Sequence, residues 1–525
     1  MPDDHYDIIV IGSGPGGASL TQSLAATGKK ILLLERGDYL SRTQNNWSAQ
    51  AVFVKKKYQA PDIWYNCDGK AFHPGLHYYV GGNSKVYGAA LFRMRERDFD
   101  EIQHKSGISP AWPVTYDTFE PYYAQAEALF HVHGQRGEDP TEPWSSGGFP
   151  HPAVAHEGKV QALHDALLQD GLHPFHLPLG ILLDEAQGRP TPTSTCIKCD
   201  AFDGFPCLLN GKADAQVICV DPTLAAHSNV TLLTNAYVTK LDTDPSGRTI
   251  TGVQVTRHAE ENRFSADIVV VACGALSSAL LLLRSANDAH PNGLANGSDQ
   301  VGRNYLRHNQ AVLMAILKEP IEAVFQKTMA ISDYYFGDDD FPFPMGLIQS
   351  CAKVHGEQIR GESLASWMSF LPEMPFEMVA RHAIDFWLSA EDLPHPDNRI
   401  MIGADGKVIL NLIETNPEPL KQLRKRLETI LNKAASHRSI LERSLYFDKN
   451  IPLAGTAHQA GTCRFGIDKN TSVLNTDCRA HEVDNLYVTD ASFFCSISAV
   501  NPTLTIIANA LRVADHLKAR LGAVG

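Results

Sequence analysis

Residues Tyr6 to Gly37 read YDIIVIGSGPGGASLTQSLAATGKKILLLERG. An apolar run, Ile8 to Ile11, stops at Gly12-Ser13-Gly14-Pro15-Gly16-Gly17. A small-residue helix pattern follows, Ala18 to Ala26. The chain then turns through Thr27-Gly28-Lys29-Lys30, and a second apolar run, Ile31 to Leu34, ends on Glu35. The order is strand, glycine loop, helix, strand, acid. Gly12 suits the tight turn, Gly14 lets the backbone approach a pyrophosphate, and Gly17 lets helix and strand pack closely. A pyrophosphate would rest on N–H groups at the positive end of the helix. Glu35, at the end of the second strand, is placed to accept the hydroxyls of an adenosine ribose. The glycine spacing alone is unspecific; its flanking strands, helix and acid make it a dinucleotide site.

The rest of the composition narrows the partners. The 525 residues are 44% hydrophobic and 20% charged, an ordinary globular balance with room for more than one core. A formal net charge of −13 argues against nucleic acid and anionic membrane surfaces. The N-terminus, MPDDHYDIIV, is acidic and enters a strand at once, which predicts no signal peptide. The longest apolar stretch, Ile268 to Leu283, is broken by Gly274, Ser277 and Ser278 and reads as a buried strand and helix, not a membrane span. Ten scattered cysteines suit a reducing compartment, so a cytoplasmic protein is expected.

Past Glu35 the pattern is irregular to Tyr78. It then reaches Tyr79-Val80-Gly81-Gly82-Asn83-Ser84-Lys85-Val86-Tyr87-Gly88, whose adjacent glycines suit either backbone lying against a ligand or a plain turn. Helices are expected over Ala111 to His131 and Val160 to Gly171. Cys196-Ile197-Lys198-Cys199, with Cys207 beyond, has a spacing compatible with zinc, an iron–sulfur cluster or a dithiol. No second matching pair and no finger-spaced histidine accompanies it, so a structured loop carrying thiols is the plainer reading and no metal is assigned. Val230 to Asp242 and Ile250 to Val255 alternate like strands. Ile268 to Ala272 is uniformly apolar, as in a sheet covered on both faces, and leads through Cys273-Gly274-Ala275 into a helix from Leu276 to Ser285. A second full glycine fingerprint is missing, so an organic substrate rather than NAD(P)H is the expected electron source. From Asn309 to about Ile440, strand-like runs such as Ala311 to Leu317 and Val408 to Leu412, with one amphipathic helix from Pro419 to Ser436, predict a mainly antiparallel domain.

The C-terminal segment holds His458-Gln459-Ala460-Gly461-Thr462, then Asp490 after a short strand, then Asn501-Pro502-Thr503 opening a helix to about Leu521. Taken singly, His458 reads as a core histidine and Asn501 as the helix N-cap, with Pro502 in the first turn.

Taken in order, these stretches resemble the glucose–methanol–choline (GMC) oxidoreductases. The resemblance rests on the N-terminal fingerprint, Gly81-Gly82-Asn83-Ser84, Ala272-Cys273-Gly274-Ala275, Val301-Gly302-Arg303-Asn304, His458-Gln459-Ala460-Gly461-Thr462, and Asp490 with Asn501-Pro502-Thr503. It is strongest toward bacterial sugar and glycoside (glucoside 3-) oxidoreductases and pyranose oxidase. It implies an α/β fold. A Rossmann-type FAD-binding domain would come from residues 1–308, with loop-rich insertions at roughly 105–215, and from 446–525. A mainly antiparallel sheet-plus-helices substrate-binding domain would occupy 309–445.

The resemblance further implies FAD, contacted by Gly12, Gly14, Gly17, Glu35, Gly82, Asn83, Ser84, Val238, Ala272, Asp490, Pro502 and Thr503, and a catalytic pair, His458 and Asn501. Val86 stands where some relatives carry the histidine that tethers FAD, so non-covalent binding is expected. The implied reaction is base-assisted hydride transfer from a CH–OH group, in a sugar or glycoside and possibly at its C3 hydroxyl, to flavin N5, with O2 or a quinone or protein carrier as acceptor. An aryl-alcohol or sterol oxidase, or a hydroxynitrile lyase on the same fold, is the alternative. No compact polar motif marks a sugar subsite.

Overall fold

In the computed structural model, residues 4–362, 374–436, 445–450 and 455–522 are described. The first sheet grows from the opening stretch. Strand β1 (Asp4–Ile11) leads into helix α1 (Pro15–Ala25) and strand β2 (Ile31–Leu34). The chain returns to this sheet much later with β3 (Val230–Leu233), β4 (Ala236–Thr243), β5 (Ile250–Arg257) and β6 (Glu260–Val271), and then forms helix α2 (Ala275–Arg284). The strand order is β3-β2-β1-β6-β5-β4. β1, β2, β3 and β6 pair in parallel, while β4, β5 and the start of β6 form an antiparallel meander. The all-apolar runs are explained by this position: Ile8 to Val10 and Val269 to Val271 have no exposed surface, as expected of strands covered on both faces.

The second sheet is antiparallel. It contains β7 (Leu306–Ile316), β8 (Met329–Ile331), β9 (Leu347–Ser350), β10 (Ala383–Glu391) and β11 (Leu445–Asn450), in the order β11-β7-β10-β9-β8, with the short strand Phe175–His176 added at the edge. Its strands alternate. Ala311, Leu313, Ala315, Ile348, Phe386 and Leu388 face a core closed by helix α3 (Glu418–Ser436), which contributes Leu420, Leu423, Leu427, Ile430 and Leu431. That leucine spacing of three and four is the helical half of the same pattern. The opposite face carries His308, Gln310, Trp387, Ser389 and Gln349, as the cross-strand register requires.

The chain then returns to the first sheet. Strand β12 (Gln459–Ala460) pairs with the start of β7, and β13 (Leu486–Val488) pairs in parallel with the end of β6. Helix α4 (Thr503–Arg520) packs on α1.

Several expected elements differ in detail. The Val408 run forms a strand, Val408–Asn411, but it belongs to a separate four-stranded sheet and pairs in parallel with Trp64–Asn66. The irregular excursion after Glu35 therefore reaches across to this part of the chain. The helix expected from Ala111 starts at Tyr116, after Thr115, and runs to Leu129. The Val230 to Asp242 run is two strands, broken at Asn235, which adopts a left-handed conformation (φ 55°). The expected end of the second domain, residue 445, falls at the first residue of β11, which pairs with β7 of the second sheet.

Candidate active site

The glycine loop is built as its sequence predicts, for reasons of space. Gly12 has φ 103°, and a Cβ there would lie 2.3 Å from the Ala272 carbonyl oxygen. A Cβ on Gly17 would lie 2.0 Å from the Gly12 carbonyl oxygen. Gly14 is different: a Cβ on it would meet no protein atom within 4 Å. Gly14 is also the residue that caps α1, whose first N–H groups have no helical partner by construction. Open space beside exposed helix N–H groups is what a pyrophosphate requires.

Glu35 is buried and already engaged. Its Oε2 accepts from the Ser13 N–H (3.1 Å) and Ser13 Oγ (2.6 Å), and its Oε1 accepts from the Gly37 N–H (2.9 Å). Burial pushes its pKa up against the opposing pull of those hydrogen bonds. Three donors on two oxygens leave acceptor capacity for a sugar hydroxyl. Ser13 Oγ in turn accepts from the Gly81 N–H at 3.1 Å, so the second glycine loop is tied to the first. A Cβ on Gly82 would lie 3.2 Å from Gly14 Cα. Asn83 holds its own loop, accepting from the His77 N–H and donating to the Gly75 carbonyl; Ser84 Oγ donates to the Gly81 carbonyl and accepts from the Ala215 N–H.

Asp490 accepts from the Gly274 N–H (2.9 Å), the Ser492 N–H (2.8 Å) and the hydroxyls of Ser278 and Ser492. Its carboxylate is saturated by the protein, so its role is to fix the turn at Gly274 and the segment after β13. Ala272 closes β6 beside Gly12, Val238 is buried on β4, and Pro502 and Thr503 open α4. The glycine loop, Glu35 and the Gly81-Gly82 loop thus come together at the ends of the parallel strands, with open space beside Gly14, and this donor and acceptor set fits a flavin adenine dinucleotide.

His458 and Asn501 meet at the start of α4. His458 Nε2 is 3.5 Å from Asn501 Nδ2. Asn501 is not the N-cap: Pro502 occupies that position with no side-chain cap bond. Instead Asn501 Oδ1 accepts from Gln349 Nε2 at 2.7 Å, which turns Nδ2 toward His458. The segment before Asn501 is held by Glu391, which accepts from the Ser498 N–H (3.1 Å), and by Tyr335, whose hydroxyl accepts from the Ala499 N–H (3.2 Å).

The far nitrogen of His458 has two neighbours on β7. Nδ1 lies 2.8 Å from His308 Nδ1 and 2.8 Å from the Gln310 side-chain amide. His308 Nε2 faces the Ile497 carbonyl at 3.4 Å, a position that only an N–H satisfies. His308 Nδ1 is then a lone pair, His458 Nδ1 carries the hydrogen donated to it, and His458 Nε2 is the lone pair directed at Asn501. The Gln310 atom placed at His458 Nδ1 is Nε2; this tautomer assigns the amide the opposite way, with Oε1 accepting from the same N–H, since amide oxygen and nitrogen are interchangeable in placement. Burial, with His308 and then the Lys327 ammonium, holds His458 well below its ordinary pKa, and burial pushes His308 down to about 4. Both rings are neutral near pH 7, so the site offers an unprotonated imidazole nitrogen next to an amide donor.

His308, Gln310, Gln349 and Lys327, which pairs with Asp203 at 2.9 Å, are absent from any reading of local motifs. They become visible only when β7 and β9 are placed against the C-terminal segment. Cys196, Cys199 and Cys207 lie in one loop as free thiols. Cys207 Sγ accepts from the Gly211 N–H, and burial pushes Cys196 up to about 12. Among the described residues no group of His, Cys, Asp or Glu is arranged to hold a metal ion.

A parallel dinucleotide-type sheet, a second, antiparallel sheet, and His458 beside Asn501 match the plan of a flavin-dependent alcohol oxidoreductase. Two models of the GMC oxidoreductase family match the chain, over residues 7–310 and 404–510, and the protein belongs to that family. It is 31% identical to 6'''-hydroxyparomomycin C oxidase of Streptomyces lividus, over 98% of this chain and 93% of the relative. It is 26% identical to the fructose dehydrogenase large subunit of Gluconobacter japonicus, over 97% of each. The pyridoxine 4-oxidase structure from Mesorbium loti shares the fold, with a TM-score of 0.67 at 18% identity over 98% of this chain and 99% of that one.

Proposed function

We propose that this protein oxidises a CH–OH group of a sugar or glycoside to a carbonyl, the C3 hydroxyl of a glucosyl unit being the favoured position, with non-covalently held FAD. When bound, FAD supplies the acceptor for the hydride that leaves the carbinol carbon. The glycine loop, Glu35, Gly82, Asn83 and Ser84 would hold it, with Val238, Ala272, Pro502 and Thr503 lining its groove and Asp490 bracing the loops. Val86, at the end of the turn Gly82–Lys85, offers no nucleophile for a tether. His458 Nε2 takes the hydroxyl proton, and Asn501 Nδ2 donates to the same oxygen, so that the carbinol carbon is fixed in one orientation. His308 and Gln310 fix the tautomer that makes Nε2 the base.

The observation that carries the reading is the approach of His458 Nε2 to the Asn501 amide nitrogen, 3.5 Å apart. The sugar class is supported by relatives named for an aminoglycoside and for fructose, and O2 or a quinone or protein carrier as acceptor by the occurrence of both oxidases and dehydrogenases among them. Ten cysteines without a disulfide support a cytoplasmic location. No helix among the described residues is long and apolar enough to cross a membrane.

The test is anaerobic titration of the FAD-loaded protein with glucose, a glucoside, benzyl alcohol and cholesterol in turn. Bleaching of the visible flavin band by the sugars supports the reading; bleaching only by benzyl alcohol or cholesterol replaces the substrate class. An enzyme that no alcohol bleaches, but that splits hydroxynitriles, would be a lyase. Admitting air then assigns the acceptor, with prompt return of colour marking an oxidase.

A further inference from the structure

The face of the second sheet that carries the anchors of the catalytic pair also carries two buried polar atoms with nothing to bond. Ser389 is 1% exposed, and its hydroxyl has no hydrogen-bond partner among the described residues. The same holds for the indole N–H of Trp387, whose Nε1 atom is buried. Buried polar groups in native proteins are satisfied with few exceptions, and each exception asks for a reason.

The register places both. Ser389 is the cross-strand partner of Gln310 on β7, and Gln310 touches His458. Trp387 is the cross-strand partner of Gln349 on β9, and Gln349 holds Asn501. Partners directly opposite in an antiparallel pair point to the same side, with Cβ atoms about 5 Å apart. Ser389 and Trp387 therefore stand on the catalytic side of the sheet, each one strand away from a residue bonded to the catalytic pair. The intervening positions point the other way, Phe386 and Leu388 entering the core under α3.

We propose that Ser389 and Trp387 form a substrate subsite that binds hydroxyl groups adjacent to the one oxidised, making the enzyme selective for polyhydroxylated substrates. The inference rests on the reading of His458 and Asn501 as the catalytic pair and deepens its substrate class. The physical argument is one of asymmetry. Both donors are already buried and unpaired without substrate, so a hydrocarbon or sterol gains nothing from them. A sugar ring presents a hydroxyl oxygen to each. Sites built to bond a hydroxyl discriminate strongly against ligands that lack it, whereas apolar pockets discriminate weakly. The indole also offers a flat apolar surface beside its N–H, the combination that suits one face of a pyranose ring.

The test uses FAD-loaded protein. Dissociation constants for D-glucose and methyl β-D-glucoside are measured by anaerobic calorimetry in a His458→Ala background, where oxidation is slowed. Anaerobic flavin reduction in the His458 protein gives the half-saturating concentration and the limiting rate separately. Ser389→Ala and Trp387→Phe are each expected to weaken sugar binding by about 5- to 100-fold, and the half-saturating concentration is expected to rise by more than the limiting rate falls. Ser389→Thr, which keeps the hydroxyl, is expected to hold affinity near the parent value. Sugar affinity within twofold of the parent in both Ser389→Ala and Trp387→Phe, each retaining its bound flavin spectrum, overturns the subsite while leaving the sugar reading intact. A parent protein that is reduced by benzyl alcohol but neither binds nor is reduced by either sugar overturns the sugar reading, and the subsite falls with it.

Discussion

Replacing Gln310 by glutamate tests the base assignment through its electrostatics. The Gln310 amide lies 2.8 Å from His458 Nδ1 and is 4% exposed. Gln310→Glu keeps the shape and the acceptor but adds a negative charge next to a ring that burial, His308 and Lys327 hold neutral. With the charge centres about 4 Å apart and an effective dielectric of about 20, the attraction to an imidazolium is about 4 kcal/mol, equivalent to about 3 pKa units. Burying the carboxylate cancels part of this, so a rise of about 2 units is expected.

The sign follows directly. His458 works as a base only when unprotonated, and a neighbouring carboxylate favours its protonated form. In the wild type the lowered pKa keeps the ring neutral, so the rate of flavin reduction holds constant down to pH 6.5 and falls only well below it. In Gln310→Glu the same acid limb moves upward by about 2 units. The assay is anaerobic stopped-flow reduction of bound FAD across pH 4.5 to 9, with the flavin spectrum as proof of folding. A limb that moves by less than about half a unit in flavin-loaded protein refutes His458 Nε2 as the base, or refutes the contact with Gln310 on which its tautomer depends.

Three further outcomes follow from the geometry. His458→Ala should slow flavin reduction by about 10²–10⁴-fold and retain FAD, since none of the cofactor-groove residues bonds to this ring; unchanged reduction removes it from the chemistry. Gln349→Leu frees the Asn501 amide and is expected to slow reduction by about 5- to 10-fold, the worth of one hydrogen bond; a loss as large as that of His458→Ala would mean that Gln349 itself touches substrate. Gly14→Ala should leave the melting temperature of FAD-free protein unchanged while weakening FAD binding at least tenfold, because its new Cβ meets only open space, whereas Gly17→Ala, with a Cβ 2.0 Å from the Gly12 carbonyl oxygen, should destabilise the fold itself by about 2–4 kcal/mol. Equal effects of the two alanines on FAD-free protein would contradict the glycine-loop geometry.

The contrast between those glycines shows what a sequence can and cannot carry. The whole strand–loop–helix–strand–acid unit lies within residues 4–35, and most of its residue types answer constraints set by near neighbours, although Gly12 also answers to the distant Ala272 carbonyl. That unit is legible for this reason, down to the separate duties of its glycines: Gly14 borders open space and Gly17 lies against the Gly12 carbonyl. Asn501 before Pro502 satisfies the local rules for a helix cap, and tertiary contacts overrule them: Gln349, 152 positions away, claims its side chain. The partners of His458 are 150 and 148 positions away. On their own strand His308 and Gln310 look like polar interruptions in an apolar run, and nothing local separates a working polar face from a solvated one. Alternation predicts that one side of β7 and β10 is apolar; only the tertiary pairing shows that the other side faces His458 and Asn501. The proposed site, assembled from single residues on β7, β9 and β10, has no motif to find, and this is why His458 is recognisable from its sequence neighbours while His308, Gln310, Ser389 and Trp387 are not.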